Sequence, residues 1–168
     1  MAKGNSKLNT AKTFALFHGS PTANIDDFDI EKAGTNTSTG EKLLFFTDSK
    51  AVADDFSYER LETDSKYVNQ RGKQGQVYEV DVSMSIPLDL TNLASKDVKN
   101  LLKMSDGELD RDMIKRFSKG NNQLLKAYID VNKIAKYGYD GFIAKMNRKG
   151  DKEYAVVSSK QVKIKKGK

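Results

Sequence analysis

Short runs of apolar residues, several of them alternating with polar ones, predict a set of β-strands along the chain. Two of these runs flank residues 147–151, a glycine-containing stretch that is typical of a hairpin connection. The predicted strands cover residues 13–18, 43–46, 77–84, 142–146, 154–157 and, as a last short piece, 161–164.

Apolar residues at helical spacing predict a short helix directly after the second strand. Ser49 is a suitable N-cap because its hydroxyl can accept a hydrogen bond from the first helical turn. A helix from there to about Tyr58 places Val52, Ala53 and Phe56 on one face. This segment is therefore expected to pack against the sheet.

A longer helical region is predicted from about 95 to 135, broken near residues 105–107 and 119–120. Ser95 is the expected N-cap of its first piece. The apolar residues of its later part that are expected to cover the sheet are Leu124, Leu125, Tyr128, Ile129 and Ile134.

The strands and helices are segregated along the chain rather than alternating, which favours an α+β domain instead of a parallel βαβ sheet. One domain is predicted over residues 13–165, after a disordered lead-in at 1–12 and before a basic tail at 166–168. Residues 26–33 are expected to form one or two helical turns. The stretches 34–40 and 61–75 are expected to be loops, the second being either a functional lid or disordered.

The composition excludes several classes of protein. The chain has 168 residues, 38% of them hydrophobic, and no window approaches the roughly 18 apolar residues of a membrane span. It contains no cysteine, so disulfides and thiolate metal sites are excluded, and no metal site is expected. We expect a cytoplasmic protein with no membrane partner.

The net charge of +6 lies at the two ends of the chain. Eight of the 29 basic residues, and none of the 23 acidic ones, belong to residues 1–12 and 160–168. The body of the chain is therefore slightly acidic. Lysine-rich ends can attract nucleic acid, although solvated terminal residues are the simpler interpretation.

Three separated motifs carry groups suited to a dinucleotide. His18, the single histidine, precedes Gly19 and Ser20 at the end of the first strand, and Glu153 begins a later strand. Histidine can bond a ribose hydroxyl, and a carboxylate can stabilise positive charge that develops on a ribose. Glycine allows a ligand to approach the backbone closely.

Two phenylalanines complete the set. Phe45 and Phe46 must point to opposite faces of a strand, and the spacing of eleven residues to Phe56 selects Phe45 for the pocket. Aromatic faces on both sides of a cationic ring contribute about 0.5–2 kcal/mol each. We expect Phe45 and Phe56 to enclose such a ring.

The order and spacing of these motifs resemble the His-Tyr-Glu class of ADP-ribosyltransferases, which includes diphtheria toxin and the poly(ADP-ribose) polymerases. The stretch 139–142 before the Glu153 strand is similar to small ADP-ribosyltransferase domains of phage and mobile-element proteins. The resemblance spans about residues 13 to 165, and the helical part contributes little to it. It implies a split antiparallel sheet of two small apposed parts with flanking helices.

The resemblance implies that NAD+ is the co-substrate and assigns roles to individual residues. His18 would bind the adenosine-side ribose, with Ser20 beside it, and the Gly19 backbone would bind the nicotinamide carboxamide. Phe45 and Phe56 would enclose the nicotinamide. Glu153 would hold the reacting ribose, so the catalytic residues would be Glu153 and His18.

Four positions depart from the family pattern or leave its meaning open. Phenylalanine replaces the usual tyrosine at both 45 and 56, which keeps the ring faces and loses the hydroxyls. Ala53 stands where the polymerases carry a serine that bonds the carboxamide. Asp151 matches a position that engages the acceptor in related arginine-modifying enzymes, but a polar turn residue is the simpler interpretation.

The resemblance implies transfer of ADP-ribose from NAD+ to a macromolecular acceptor with release of nicotinamide. Protein side chains are the preferred acceptor, and nucleic acid stays open because of the basic ends. The alternatives are an NAD+ glycohydrolase and a non-catalytic NAD-binding or nucleic-acid-binding module. A phage-encoded enzyme of this kind would work in the cytoplasm of its bacterial host.

Overall fold

The computed structural model describes residues 10–33, 42–60, 71–120 and 122–167. The predicted lead-in up to residue 9, the loop at 34–40 and most of the loop at 61–75 lie outside these residues. The first strand of the described residues begins at Lys12.

A seven-stranded sheet and a separate two-stranded sheet make up the β-structure of the described residues. The strand order in the large sheet is β6-β7-β8-β2-β1-β5-β9, and β3 pairs with β4 in the small one. The strands are β1 (Lys12–Ser20), β2 (Leu44–Thr47), β3 (Tyr58–Arg60), β4 (Arg71–Gln74), β5 (Gln76–Met84), β6 (Pro87–Asp89), β7 (Gly141–Lys145), β8 (Lys152–Val156) and β9 (Val162–Ile164).

Most helices of the described residues lie between β6 and β7, as the helical pattern predicts. The α-helices are α1 (Lys50–Phe56), α2 (Ser95–Met104), α3 (Arg111–Lys119) and α4 (Gln123–Ala127). The 3-10 helices are Ile30–Lys32, Val131–Tyr137 and Ser159–Gln161. The α+β prediction is confirmed.

The sheet differs in two respects from the prediction. One continuous sheet replaces the two apposed sheets, although its halves are joined by a single residue pair, Phe17 opposite Thr47, between β1 and β2. The pair β6–β7 is parallel, so the sheet is mixed rather than purely antiparallel. Pro87 lacks an N–H group, which is compatible with its place on an edge strand.

Some local predictions were wrong. Residues 71–74 form β4 instead of continuing a loop, because they pair with β3. Only Ile30–Lys32 of the predicted helical turns at 26–33 is helical. The N-cap of α2 is Ala94 rather than Ser95, and the Asp97 carboxylate accepts a hydrogen bond from the Ala94 backbone N–H.

Two apolar cores lie on opposite faces of the sheet. Successive residues of β7 and β8 alternate between them: Phe142 and Ala155 belong to the first core, and Ile143 and Tyr154 to the second. The helical region covers the first core. Leu125 and Ile134 are fully buried there, as predicted, whereas Leu124 is exposed, so its predicted packing role was wrong.

Helix α1 lies directly on β1, and Gly19 makes this close approach possible. A Cβ atom at Gly19 would lie 1.7 Å from the carbonyl oxygen of Ala53, whose side chain is buried. The predicted N-cap Ser49 is confirmed, since its hydroxyl accepts a hydrogen bond from the Val52 N–H at 3.3 Å. The helix is therefore held at a defined depth against the strand.

Replacing Gly19 by alanine tests this packing. Because the added methyl group would overlap backbone rather than a flexible side chain, we expect Gly19→Ala to destabilise the fold by about 3 kcal/mol or more. Gly167→Ala, at a position with open space around it, should change the free energy of unfolding by less than about 0.5 kcal/mol. Urea denaturation measures both. Equal stability of the two variants would show that α1 does not rest on β1.

Candidate functional site

The sheet is open on one side of the Phe17–Thr47 pair. From Lys12 to Ser20, β1 pairs continuously with β5. Within the described residues it pairs with β2 only at Phe17, opposite Thr47. The two strands separate beyond it, towards His18 on β1 and Phe45 on β2. We call this separation the seam.

His18 bridges the seam. Its Nδ1 lies 2.7 Å from the carbonyl oxygen of Phe45. A carbonyl oxygen only accepts, so Nδ1 carries the hydrogen and donates it, which leaves the lone pair of a neutral ring on Nε2. The imidazole also contacts Phe28 edge-on, with ring centroids 4.7 Å apart, and lies near Phe46. The ring is therefore fixed in both orientation and tautomer.

The electrostatics keep His18 neutral. Burial lowers the pKa of His18 below its ordinary value of 6.5, and the hydrogen bond to the Phe45 carbonyl only partly opposes this shift. Among the described residues Nε2 has no hydrogen-bond partner, and no side-chain polar atom is both buried and unpartnered there. Nε2 is consequently an accessible acceptor, suited to a hydroxyl group.

Glu153 lies on β8, opposite Thr47 of β2. Its side chain is 13% exposed, and Oε1 accepts a hydrogen bond from Lys126 Nζ at 2.9 Å. The ammonium also lies 5.5 Å from the ring centroid of Phe45 and 5.6 Å from that of Phe142. A carboxylate and two aromatic rings thus surround one cation.

The loop after β2 fixes the start of β8. Asp48 Oδ1 accepts a hydrogen bond from the Lys152 N–H at 2.8 Å, and the Asp48 N–H donates to the Lys152 carbonyl at 3.4 Å. The Thr47 hydroxyl accepts from the Ser49 N–H at 3.1 Å. These bonds hold the backbone next to Glu153, so they fix the start of β8, which carries Glu153, relative to β2.

Phe45 connects the two predicted catalytic residues. Its carbonyl binds His18, and its ring packs against Phe142 with centroids 6.1 Å apart and lies near Lys126, which binds Glu153. The His18 ring contacts residues of the second core, and Glu153 is on the side of the first core. The structure therefore places His18 and Phe45 at the seam, and Glu153 on the far side of β2. The imidazole and the carboxylate lie on opposite faces of the sheet.

The other predicted binding residues have structural partners. Gly19 lies beneath α1, as described above. Ser20 is buried, and its hydroxyl accepts a hydrogen bond from the Thr22 N–H at 3.1 Å. Phe56 is the last residue of α1 and is 47% exposed. The ligand roles of these three residues remain predictions.

The structure also has a cavity away from the seam. A cavity of about 300 Å³ at the start of β1 is lined by residues that include Lys12, Phe14 and Tyr154, and by neither His18 nor Glu153. Burial, together with the carboxylates of Asp48 and Asp89, raises the pKa of Tyr154, so its phenol stays neutral.

Two residues of this site, Lys126 and Phe142, were not predicted from the sequence. Lys126 is one of many lysines in a helical region, and Phe142 has the pattern of an ordinary core residue. Lys126 comes near Glu153 through the packing of α4, and Phe142 through the pairing of β7 with β8, and neither depends on a local sequence pattern. Within the described ranges, no group of three or more metal-binding side chains occurs.

Comparison with known families gives a match over nearly the whole chain. A family described as ADP-ribosyltransferase in polyvalent proteins matches residues 11–168. No curated protein matched the sequence. The match includes every strand and helix described above.

One similar solved structure is described as the crystal structure of an anti-CRISPR protein. It is 15% identical in sequence, and the similarity covers 90% of this chain and 95% of that one, with a TM-score of 0.43. At this level the similarity supports no argument about fold or function.

The lowered pKa of His18 predicts how stability depends on pH. The folded chain binds a proton at His18 less readily than the unfolded chain does. The resulting contribution of His18 to the free energy of unfolding is complete above about pH 6.5, and it is lost as the pH falls towards the lower folded pKa. His18→Gln removes the titrating group. The free energy of unfolding of the natural chain, relative to this variant, should therefore fall on acidification from pH 7.5 to about pH 5.

Urea denaturation at a series of pH values measures this difference. The chain contains one histidine, and the carboxylates contribute alike to both proteins, so the difference isolates His18. A difference that stays constant, or grows on acidification, would contradict the neutral assignment of the ring.

Proposed function

Because the chain belongs to the family of ADP-ribosyltransferases in polyvalent proteins, we propose that it transfers ADP-ribose from NAD+ to a macromolecular acceptor and releases nicotinamide. Membership of the family supports ADP-ribosyl transfer, with NAD+ as substrate, in general. The observation that carries the specific proposal is that the Glu153 carboxylate pairs with a cation lying over the Phe45 ring, while the Phe45 carbonyl binds His18.

The proposed reaction breaks the bond between the ribose C1′ and the nicotinamide nitrogen. The electron pair of this bond goes to the ring, which carries a positive charge beforehand and leaves neutral, so no general acid is required. Positive charge develops on the ribose, and Glu153 stabilises it while accepting a hydrogen bond from the 2′-hydroxyl. The acceptor nucleophile then bonds to C1′, and its proton goes to water.

His18 positions the adenosine-side ribose in this proposal. A neutral imidazole whose Nδ1 is committed to the Phe45 carbonyl offers Nε2 as an acceptor for a ribose hydroxyl. Strand β2 carries both this carbonyl and the Phe45 ring. The position of the adenosine-side ribose at His18 is therefore linked to the position of the nicotinamide at Phe45. This arrangement supports one elongated ligand lying across the seam.

Phe45 supplies one ring face for nicotinamide, and Phe56 is proposed to supply the other. Phe45 is half-buried and supported by Phe142, so its orientation is fixed before a ligand binds. Phe56, nearly half exposed at the end of α1, presents apolar surface to solvent. The absence of tyrosine hydroxyls at these positions means that stacking alone orients the ring.

A protein acceptor is favoured over nucleic acid. Of the basic C-terminal residues, Lys165 forms an ion pair with Asp81 at 3.2 Å, which reduces the positive charge available to a polyanion. None of the helices in the described part of the chain is long and apolar enough to cross a membrane. We propose that the protein acts in a cytoplasm, that of a bacterial host if it is phage-encoded.

One observation favours a non-catalytic binding role as the second candidate. Glu153 is already paired with an ammonium group, whereas a catalytic carboxylate must be available to the ribose. The proposed enzyme therefore requires that Lys126 leave this position, while a binding module does not. Measurement of nicotinamide release separates the two.

Replacing the proposed catalytic glutamate tests the enzyme directly. We expect Glu153→Gln to reduce NAD+ turnover by about 10²–10⁴-fold, because the neutral amide cannot stabilise the developing charge. Glu79→Gln, the same change at an exposed position of β5, should leave turnover unaltered. Nicotinamide release measures both rates, and retention of more than half the activity by Glu153→Gln would remove this residue from its role.

The fate of the ADP-ribose group distinguishes transfer from hydrolysis. When the chain is incubated with [32P]NAD+ and a bacterial lysate, we expect label on protein that resists nuclease and is removed by protease. Label found only in free ADP-ribose would favour the NAD+ glycohydrolase, and label on nucleic acid would contradict the proposed protein acceptor.

A further inference from the structure

The surroundings of Lys126 Nζ form a small cation site. The ammonium contacts a carboxylate at 2.9 Å and lies against two aromatic rings, Phe45 and Phe142, at 5.5 and 5.6 Å. Both charged side chains are largely buried, with 22% of Lys126 and 13% of Glu153 exposed. This combination of an acid and ring faces binds organic cations of many kinds, and here the chain's own side chain occupies it.

The backbone that carries Lys126 is firmly attached to the sheet. Asn122, buried just before α4, accepts a hydrogen bond from the Lys145 N–H at 2.8 Å and donates to the Ser118 carbonyl at 3.1 Å. Leu125 is fully buried in the first core. The mobile part of this contact is therefore the four-carbon side chain of Lys126, which can withdraw its ammonium into solvent without moving α4.

We propose that Lys126 is an internal competitor that closes the nicotinamide site until a cationic ligand displaces its ammonium. This inference rests on the proposed function, since the same carboxylate and the same Phe45 ring are assigned there to the positively charged nicotinamide and its ribose. Two cations cannot share this site, because their repulsion in a partly buried environment opposes simultaneous binding. Lys126 thereby lowers the affinity for planar organic cations selectively and leaves neutral rings little affected.

A role of Lys126 in positioning Glu153 would affect a different kinetic constant. If the ammonium served to position Glu153 for catalysis, its removal would lower kcat and leave KM for NAD+ unchanged. As a competitor, its removal lowers KM and leaves kcat unchanged. The two roles are therefore separated by which kinetic constant responds.

Lys126→Met provides the test, because methionine keeps much of the side-chain length and removes the charge. The probes are N1-methylnicotinamide, a permanent cation, and neutral nicotinamide, with binding measured by calorimetry. We expect the variant to bind the cation about tenfold more tightly than the natural chain, while affinity for the neutral probe changes by less than about twofold. Lys126→Arg, which retains the charge, should show no gain.

Controls keep the outcome interpretable. Lys133→Met removes a lysine from an exposed ion pair with Asp130 and should change neither affinity. Lys126→Gln repeats the test with a polar side chain if the methionine variant fails to fold. Unchanged or weaker binding of the cation by the uncharged variants, or equal gains for both probes, would overturn the inference.

The binding measurement requires no turnover, so it is independent of the proposed enzyme activity. A gain in cation affinity without nicotinamide release from NAD+ by any variant would support the internal competitor and contradict the proposed transferase. Release of nicotinamide with no gain in cation affinity would support the proposed transferase and contradict the internal competitor.

Discussion

The hydrogen bond from His18 Nδ1 to the Phe45 carbonyl is the contact on which the candidate site depends. It spans the place where β1 and β2 separate, so it replaces a ladder bond that the diverging strands no longer make. It also determines which imidazole nitrogen is available to a ligand. Without this bond the ring of His18 and the aromatic ring of Phe45 would no longer be held in a fixed position relative to each other.

The seam has its form because packing on both faces prevents it from closing. Gly19 admits α1 against β1 on one face, and Phe28 packs against His18 on the other. On the neighbouring strands, Asp48 holds β8 in register, and Asn122 holds α4 above it. Glu153 and Lys126 meet as a consequence of these two attachments, so the charge pair is a product of the fold rather than of a local motif.

The sequence allowed the elements with strong local patterns to be predicted, together with part of the site. The apolar run before His18, the Ser49 cap and the hairpin before Glu153 were all identified because their signals are confined to a few neighbouring residues. The strand β4 was missed because it is polar and exists through its pairing with β3. Lys126 was missed for a related reason, since its contact with Glu153 joins residues 27 apart through α4.

Nitrogen NMR of the single imidazole tests the central claim most directly, namely that His18 and Glu153 serve one ligand at the seam. In the Glu153→Gln chain, which is expected to bind NAD+ without consuming it, saturating NAD+ should shift the Nε2 resonance of His18 while Nδ1 remains protonated. Imidazole resonances that stay unchanged at saturating NAD+, or a ligand that bonds to Nδ1, would contradict the account.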